Sequence, residues 1–339
     1  MKRIFALLTV AAVLLCGCAP KEPEKKQYTA TFLTLFDTVT TVVGFAQSEE
    51  AFGAQAQQVH DMLLEYHRLF DIYNEYDGAA SLKTVNDNAG AAPVTVDARI
   101  IDLLKDCRAY CEATGGKVNA AMGSVLSLWH DARSEGIDDP ANARLPDGEK
   151  LREAARHADF DDVIIDEEAS TVYLSDSQMR LDVGAVAKGW AVQRVCGQLP
   201  SGLLVSVGGN VCATGPKGEG GAPWVIGIQN PDGDDYLHTI YLTKGSVVTS
   251  GDYQRAYAVD GEVYHHIIDP ETLYPSKHWR SVTVVCADSG NADALSTALF
   301  VLPQDEGQAL LDRYGAEAMW VAPGGEISYS PGFEALIRT

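Results

Sequence analysis

The sequence predicts an α+β fold in which mixed, largely antiparallel sheets pack against helices. Several strand-like segments follow one another directly, and the regular strand–helix alternation of a doubly wound Rossmann sheet is missing. The composition, with 46% hydrophobic and 22% charged residues, is typical of a folded globular protein. At 339 residues the chain is long enough for one large domain, which we assign to residues 31–339.

The N-terminus predicts export and lipid attachment. A basic start and a short apolar segment at residues 4–15, too short to span a bilayer, are typical of a secretory signal peptide, which we assign to residues 1–17. The letters LCGC at 15–18 resemble a bacterial lipobox, which places the lipid on Cys18; an unlipidated signal peptide is the alternative. Residues 18–30 are polar and rich in Pro and Lys, as expected of a flexible tether. We therefore expect an extracytoplasmic protein, lipid-anchored to the bacterial cell membrane.

Charge and cysteine content limit the classes of partner. The formal net charge of −21 argues against nucleic acid as a ligand. An anionic ligand would need local backbone donors or a metal ion to overcome this field. The cysteines after Cys18 are odd in number and show no C-x-x-C spacing, so we expect small buried side chains rather than a disulfide framework. They are Cys107, Cys111, Cys196, Cys212 and Cys286.

The first half of the domain predicts one strand followed by helices. Residues 32–44 are rich in Thr and Val, which favours a strand. Over residues 48–72, apolar side chains recur at spacings of three and four and predict an amphipathic helix. Asp97 is expected to cap a second helix. Residues 119–129 predict a buried helix, and the polar residues 131–148 predict an exposed insertion. The apolar stripe of the first helix consists of Phe52, Ala56, Val59, Leu63, Tyr66 and Phe70.

The second half predicts short strands interrupted by helices. Helices are expected at residues 149–157, 185–199, 291–302 and 304–314. Strands are expected at residues 162–166, 171–175, 179–183, 203–207, 224–229, 236–243 and 281–287. A final hairpin is expected to turn at Pro323-Gly324-Gly325.

The segment 246–275 predicts a β-hairpin that carries two adjacent histidines. Asp260-Gly261 is a strong signal for a two-residue hairpin turn. Side chains alternate faces along a strand, so His265 and His266 point in opposite directions and one of them can enter a site. A lone histidine on a strand is more often structural than catalytic. The small residues 249–252 beside the hairpin offer polar contacts.

Three further segments carry residues suited to phosphate or metal binding. Residues 181–190 predict a strand, a small-residue turn and a helix start, where backbone N–H groups and Lys188 suit an anion; a packing turn is the alternative. The glycines at 208–209 allow a ligand to approach the backbone, or form a plain turn. Asp293 and Thr297 lie one helical turn apart and offer oxygens that suit Mg²⁺; alternatively, Asp293 merely favours a helix N-terminus.

Five motifs, in order, resemble those of one known family. They are LDVGAVAKGWA at 181–191, SVGGN at 206–210, GSVVTSGDYQR at 245–255, HHIIDP at 265–270 and ADALSTALFVL at 292–302. From about residue 32 onward the sequence resembles the FAD:protein FMN transferases, the ApbE family of bacterial flavin-transferring lipoproteins. The resemblance implies an ApbE-like fold and a metal-dependent reaction. That reaction moves FMN from FAD to a Ser or Thr hydroxyl of a partner flavoprotein through a phosphodiester bond and releases AMP.

Other activities stay open for the same residues. One alternative is a Mg²⁺-dependent FAD pyrophosphatase that gives FMN and AMP, and a second is a non-catalytic flavin-binding lipoprotein. The resemblance implies FAD as the substrate and Mg²⁺ as the cofactor, with Mn²⁺ as the alternative. It also implies an acceptor flavoprotein that belongs to an extracytosolic or membrane redox system.

The resemblance assigns roles to individual residues. It makes His266 the general base, with His265 as its outward, structural neighbour. The metal ligands it implies are Asp293, Thr297 and the backbone carbonyl of Ala185. Phe36 and Tyr73 would stack on a ring system of FAD. The full set of implied FAD contacts is Phe36, Tyr73, Lys117, Val118, Asn119, Asp182, Lys188 and Ile267.

Three positions depart from the family pattern. Leu273 stands where the family usually has Gly, so we expect a turn there with altered local geometry. Phe36-Asp37-Thr38 stands where relatives often show Met-Gly-Thr, so the N-terminal side of the pocket is expected to differ. Trp190 replaces a usual Tyr conservatively.

Overall fold

The computed structural model describes residues 24–78 and 80–339. The predicted signal peptide and Cys18 lie outside the described residues, so export and lipidation stay predictions. Within the described residues, none of the helices is long and apolar enough to cross a membrane.

Strands and helices alternate irregularly along the described chain. The helices are α1 (Glu49–Phe70), α2 (Leu82–Asp87), α3 (Ala98–Ala113), α4 (Gly123–Asp138), α5 (Gly148–Ala155), α6 (Ala187–Cys196), α7 (Ser289–Val301) and α8 (Gln304–Tyr314). The first strands are β1 (Lys26–Leu35), β2 (Thr38–Ala46), β3 (Val94–Thr95), β4 (Val163–Asp166), β5 (Thr171–Leu174), β6 (Leu204–Val207) and β7 (Asn210–Ala213). The later strands are β8 (Trp224–Gln229), β9 (Tyr236–Leu242), β10 (Gly245–Gly251), β11 (Ala256–Val259), β12 (Glu262–His265), β13 (Ser281–Cys286), β14 (Glu317–Val321) and β15 (Ile327–Tyr329).

An eight-stranded sheet is the centre of the described fold. Its order is β1-β2-β6-β7-β10-β13-β14-β15, and every neighbouring pair is antiparallel. Successive residues of β10 reach opposite faces. Val248 packs into the core that holds α1, α6 and α7, whereas Val247 packs against the β8–β9 hairpin. The sheet is thus covered on both faces, and the predicted α+β class with largely antiparallel sheets is confirmed.

A smaller packing unit lies beside this sheet. It joins α4, α5 and the β11–β12 hairpin around Val125, Trp129, Leu151 and Tyr257, all of which are buried. Asp260 and Gly261 have φ values of 51° and 84°, the two positive values that a type I′ hairpin turn needs. The predicted Asp-Gly hairpin is therefore confirmed.

The predicted strand at residues 32–44 is wrong as a single element, because it is a hairpin. β1 and β2 pair antiparallel and are joined by Phe36 and Asp37, whose φ values are 52° and 51°. The turn lacks the Asn-Gly or Asp-Gly signal that usually marks such a position. β1 begins at Lys26, so residues 26–30, expected in the tether, pair with β2 instead.

Two other expectations are corrected around α4. The helix spans Gly123–Asp138, so residues 119–122 precede it and residues 131–138 belong to it rather than to an exposed insertion. The polar residues of its second half mislead because most of them are exposed, while Trp129 and Gly136 are buried. Residues 179–183 form no strand; Arg180 makes an isolated bridge with Met122.

The predicted helices in the first half are otherwise confirmed. All members of the apolar stripe of α1 are buried. The Asp97 side chain accepts a hydrogen bond from the backbone N–H of Arg99 and caps α3. In the described residues the cysteines after Cys18 are free, and all except the partly exposed Cys111 are buried, as predicted.

Leu273 is expected to be strained in the turn that follows the hairpin. Its φ is 63°, in the left-handed region that glycine tolerates and leucine avoids. Replacing Leu273 by Gly or by Ala removes its packing against the unit around Trp129 in both cases, but only Gly relieves the backbone. We expect the Gly variant to be more stable in urea unfolding than the Ala variant by about 1 kcal/mol. A more stable Ala variant, the usual order at negative φ, would contradict strain at this position.

Candidate active site

One cavity of about 490 Å³ brings the predicted site residues together. Its volume lies in the range of small-molecule sites. Phe36 is the exception, since it lines an adjoining smaller cavity of about 140 Å³. The predicted residues on the larger cavity are Tyr73, Lys117, Val118, Asn119, Asp182, Ala185, Lys188, His266, Ile267, Asp293 and Thr297.

The glycine pair of the SVGGN motif forms the turn between β6 and β7. Gly208 and Gly209 have φ values of 53° and 91°, and a Cβ on Gly208 would meet the Thr38 side chain at 2.6 Å. The turn therefore lets β2 approach closely and leaves Gly208 on the cavity wall. Asn210, the next residue, is buried, and its Oδ1 has no hydrogen-bond partner among the described residues.

The segment before α6 supplies a carboxylate and an ammonium group. Asp182 Oδ1 accepts a hydrogen bond from the N–H of Gly184 at 2.8 Å. Lys188 Nζ donates to the carbonyl of Gly184 at 3.1 Å and lies 3.8 Å from Asp293 Oδ2. The helix starts at Ala187, two residues later than predicted, so Ala185 belongs to the turn. Its carbonyl is thus outside the hydrogen-bonded body of the helix.

α7 holds the predicted metal pair. Asp293 is only 4% exposed, and its Oδ2 accepts a hydrogen bond from the N–H of Gly189 at 2.8 Å. Burial raises the pKa of this carboxyl, while Lys188 and the Gly189 N–H lower it. Thr297 follows one turn later and lines the same cavity.

The donor set at α7 fits a hard cation. Across the described residues no group of three or more His, Cys, Asp or Glu side chains is placed to hold a metal ion. The oxygens available are the Asp293 carboxylate, the Thr297 hydroxyl and the Ala185 carbonyl, all on the cavity wall. One carboxylate with neutral oxygens suits Mg²⁺, which keeps water or phosphate oxygens as its other ligands.

The two histidines have different environments. His265 is buried: its Nε2 donates to the Ser276 carbonyl at 2.7 Å, and its ring contacts Phe300 edge-on at 5.4 Å. It is therefore structural, as expected, but the expectation that it faces outward is wrong, because the segment after Pro275 covers it. His266 lines the cavity, and its Nδ1 has no partner among the described residues.

The pKa of His266 is lowered to about 3. Burial is the largest cause, followed by the charge of Arg255 and smaller effects of His265, Lys188 and Arg133. The free protein thus holds His266 neutral, which is the state in which an imidazole can accept a proton.

The ApbE family model matches residues 36–320. The chain belongs to the ApbE family. A relative from Treponema pallidum named FAD:protein FMN transferase is 34% identical over 313 residues, 86% of this chain and 82% of the relative. A Klebsiella pneumoniae relative of the same name is 30% identical over 285 residues, 82% of this chain and 85% of the relative.

Solved structures of ApbE proteins share the fold. The ApbE protein from Thermotoga maritima superimposes with a TM-score of 0.81 at 32% identity, over 93% of this chain and 100% of that structure. The flavin transferase ApbE from Vibrio cholerae gives a TM-score of 0.75 at 21% identity, over 92% of this chain and 99% of that structure. At this identity the similarity shows the fold alone.

Several cavity residues of this ApbE protein were not predicted from the sequence. His130 packs its ring on Tyr73 at 5.1 Å, and Arg133 Nη2 donates to His130 Nδ1 at 2.9 Å. Arg255 also lines the cavity and ends a motif quoted above, so the motif marked its neighbourhood but not its role. Nothing in the sequence marked His130, which follows the predicted helix 119–129, or Arg133, which lies in the stretch 131–148 predicted as an exposed insertion.

Two predicted FAD contacts already have protein partners. Lys117 Nζ lies 3.2 Å from an Asp269 oxygen and 2.8 Å from a Glu271 oxygen. The Asn119 amide donates to the Ala158 carbonyl at 2.8 Å and accepts from the Ala121 N–H at 2.9 Å. Both residues shape the cavity wall, and their own polar groups are largely satisfied.

Gly189 is expected to set the spacing between α6 and α7 in this ApbE protein. A Cβ at this position would meet the Ser289 carbonyl at 2.3 Å and Asp293 Cβ at 2.5 Å. We expect Gly189→Ala to destabilise the protein by roughly 1–3 kcal/mol, because one of the two helices must shift. Gly197→Ala near the end of α6, where a Cβ meets nothing closer than 3.3 Å, is the matched control in urea unfolding. Equal stability of the two variants would contradict close packing at Gly189.

Proposed function

We propose that this ApbE-family protein transfers FMN from FAD to a Ser or Thr hydroxyl of a partner flavoprotein through a phosphodiester bond and releases AMP. The observation that carries the proposal is the position of His266 on the wall of the cavity that also holds Asp293, Thr297 and Lys188. A neutral imidazole beside an anion site is the arrangement that hydroxyl attack on a pyrophosphate requires.

His266 acts as the general base in this proposal. The acceptor oxygen attacks the phosphorus of the FMN half, and His266 takes the hydroxyl proton as the O–P bond forms. The bond between that phosphorus and the bridging oxygen breaks, and AMP leaves with the bonding electrons. Lys188 lies at the Asp293 end of the cavity, where its charge stabilises phosphate oxygens.

Asp293, Thr297 and the carbonyl of Ala185 would hold Mg²⁺, or Mn²⁺ in its place. When bound, the cation neutralises charge on the pyrophosphate. Tyr73 lines the larger cavity, where its aromatic ring offers a surface on which a ring system of FAD can stack. Phe36 lines the smaller cavity, where it offers a second aromatic surface. Asp182 and Ile267 also line the larger cavity, and we assign them as further contacts of FAD.

The setting of the reaction is also part of the proposal. We infer that the chain is exported, lipidated on Cys18 and held at the outer face of the cell membrane. The acceptor would then be an extracytosolic or membrane redox subunit that carries the modified Ser or Thr. The test is mass spectrometry of the purified protein, in which an N-terminal diacylglyceryl-cysteine at Cys18 is expected.

A transfer assay tests the reaction. The purified protein is incubated with FAD, Mg²⁺ and candidate acceptor flavoproteins, and covalent FMN on the acceptor is measured by mass spectrometry. We expect a phosphodiester-linked FMN and an equal amount of AMP. Release of FMN and AMP without acceptor, unchanged when acceptor is added, would identify a pyrophosphatase instead. FAD binding without any cleavage would leave a flavin-binding lipoprotein.

The pKa of His266 predicts a difference between two pH profiles. A base acts only when it is unprotonated, so the rate falls as the pH drops through its pKa. In the free protein that pKa is about 3, with nearby cations among its causes. The two phosphate charges of bound FAD oppose those cations and raise the pKa in the complex. The pH profile of kcat reports the pKa in the complex, and that of kcat/KM reports the pKa in the free protein. We therefore expect the acid limb of kcat to lie at higher pH than the acid limb of kcat/KM. Acid limbs at the same pH would contradict this prediction.

A further inference from the structure

Two cavities share one wall in this protein. The larger and the smaller cavity, of about 490 and 140 Å³, meet where two cationic side chains stand. A dinucleotide has two ring systems joined by a pyrophosphate, so the junction of two cavities is where the anionic part would lie if each cavity took one end. Lys188 and Arg255 supply the positive charge there. The residues common to both cavities are Asp37, Tyr73, Asp182, Val183, Gly184, Lys188 and Arg255.

Arg255 has no ion pair or hydrogen bond with any residue that the structure describes. It is exposed to solvent on the wall that both cavities share. Asp37 and Asp182 stand on the same wall, yet neither pairs with Arg255, and Asp182 Oδ1 is engaged by the Gly184 N–H. A guanidinium without a carboxylate beside a cavity is available to an anionic ligand. Arginines that do pair are Arg99, Arg108, Arg152, Arg156, Arg194 and Arg280.

Arg133 approaches the larger cavity from α4. Its Nη2 donates to His130 Nδ1 at 2.9 Å, which fixes one edge of the guanidinium, and it forms no ion pair with the described residues. Burial, and then the charge of Arg255, lower the pKa of Arg133, so the two guanidinium groups act on each other. Two like charges that share a site repel, and an anion between them removes that repulsion.

We propose that Arg255 at the junction of the two cavities, together with Arg133 on the wall of the larger cavity, binds the pyrophosphate of the flavin dinucleotide. This inference rests on the proposed function and adds two residues that select for a dinucleotide over an uncharged flavin. Arg255 and Arg133 donate hydrogen bonds to phosphate oxygens, while Lys188 serves the part of the cavity beside Asp293. Guanidinium groups suit this task because their planar N–H forks match phosphate oxygens.

Flavin binding without metal or acceptor tests the inference. The purified proteins carry Arg255→Gln, Arg133→Gln, both changes, or Arg255→Lys, and binding of FAD and of riboflavin is followed by flavin fluorescence in the presence of a chelator. We expect the double variant to raise the Kd of FAD by roughly 10-fold or more, since two charge-assisted hydrogen-bonding groups are lost. Riboflavin has no phosphate, so its Kd should change less than about twofold. Arg255→Lys should recover part of the FAD affinity because it keeps the charge.

Arg156→Gln is the matched control, because Arg156 is exposed and pairs with Glu153 away from both cavities. Thermal unfolding confirms that each variant is folded.

An FAD affinity that stays within about twofold in the double variant would overturn the inference, as would equal losses of affinity for FAD and riboflavin. Unchanged FAD affinity with a raised KM for the acceptor would instead assign the arginines to the acceptor protein. If the unaltered protein transferred FMN while the double variant bound FAD normally, only this inference would fail; no FAD binding by the unaltered protein either in the chelator or with Mg²⁺ would overturn the proposed function as well.

Discussion

Replacing His266 with glutamine is expected to lower the rate of FMN transfer by roughly 10²–10⁴-fold, the range for loss of a general base. Glutamine keeps a polar side chain of similar reach but cannot take the proton of the acceptor hydroxyl. His266 lines the cavity, and its buried Nδ1 has no partner, so replacing it breaks no hydrogen bond of that atom within the described fold. FAD affinity should therefore change little. Single-turnover transfer to the acceptor and equilibrium FAD binding give the two readouts.

His60→Gln is the matched control for this prediction. His60 lies on α1, hydrogen-bonds to Gln57 and Asp61, and is absent from the cavity wall. We expect this variant to transfer FMN at the normal rate. A His266→Gln protein that keeps more than a tenth of the normal rate would remove the base role. Equal losses of FAD binding and of transfer would make His266 a binding residue instead.

The helices and the Asp293–Thr297 pair of the site were predictable because they depend on the spacing of residues that are close in sequence. The stripe of α1 is a pattern of near neighbours, and each of its residues is buried. Asp293 and Thr297 are likewise one turn apart on one helix, so their common face follows from helix geometry. The Asp260-Gly261 turn was predictable because few residue pairs adopt two positive φ values.

Long-range proximity was not predictable from the same patterns. Lys188 and Asp293 lie 3.8 Å apart because α6 packs on α7, with Gly189 at their closest approach. The motifs of the family placed both residues near a ligand without giving that packing. Arg133 stayed hidden since the polar, mostly exposed second half of α4 resembles a loop in sequence. The turn at Phe36 and Asp37 stayed hidden because neither residue is glycine, although both have positive φ.

Replacing Asp293 with asparagine is expected to lower FMN transfer by roughly 10²-fold or more, by removing the carboxylate we assign to the metal. Altering a residue that only orients a metal ligand lowers metal affinity or activity roughly 10–100-fold. Loss of the ligand itself should therefore lower the transfer rate at least as much. Asparagine has nearly the same shape and keeps an oxygen that accepts the Gly189 N–H. The fold should therefore survive. Transfer assays over a range of Mg²⁺ and Mn²⁺ concentrations measure the loss.

Stability gives the second, independent readout for Asp293. Burial raises the pKa of this carboxyl above its ordinary value, so without metal the folded state loses stability as the pH rises through that pKa and the group becomes charged. Asparagine removes the buried charge, so in a chelator at neutral pH the variant should be at least as stable as the unaltered protein. Adding millimolar Mg²⁺ in the presence of FAD should then raise the Tm of the unaltered protein further but leave that of Asp293→Asn unchanged, since only the former binds the ion.

Asp288→Asn is the control on the same helix. Asp288 caps α7 by accepting the N–H of Asn291, and asparagine caps a helix about as well as aspartate. This variant should keep both transfer and the Mg²⁺-dependent rise in Tm. A normal transfer rate in Asp293→Asn, or an undiminished Mg²⁺ effect on its Tm, would show that the cation is held elsewhere. A large loss of stability in the chelator would show that the Asp293 carboxylate serves the fold through its charge beside Lys188 rather than the ion.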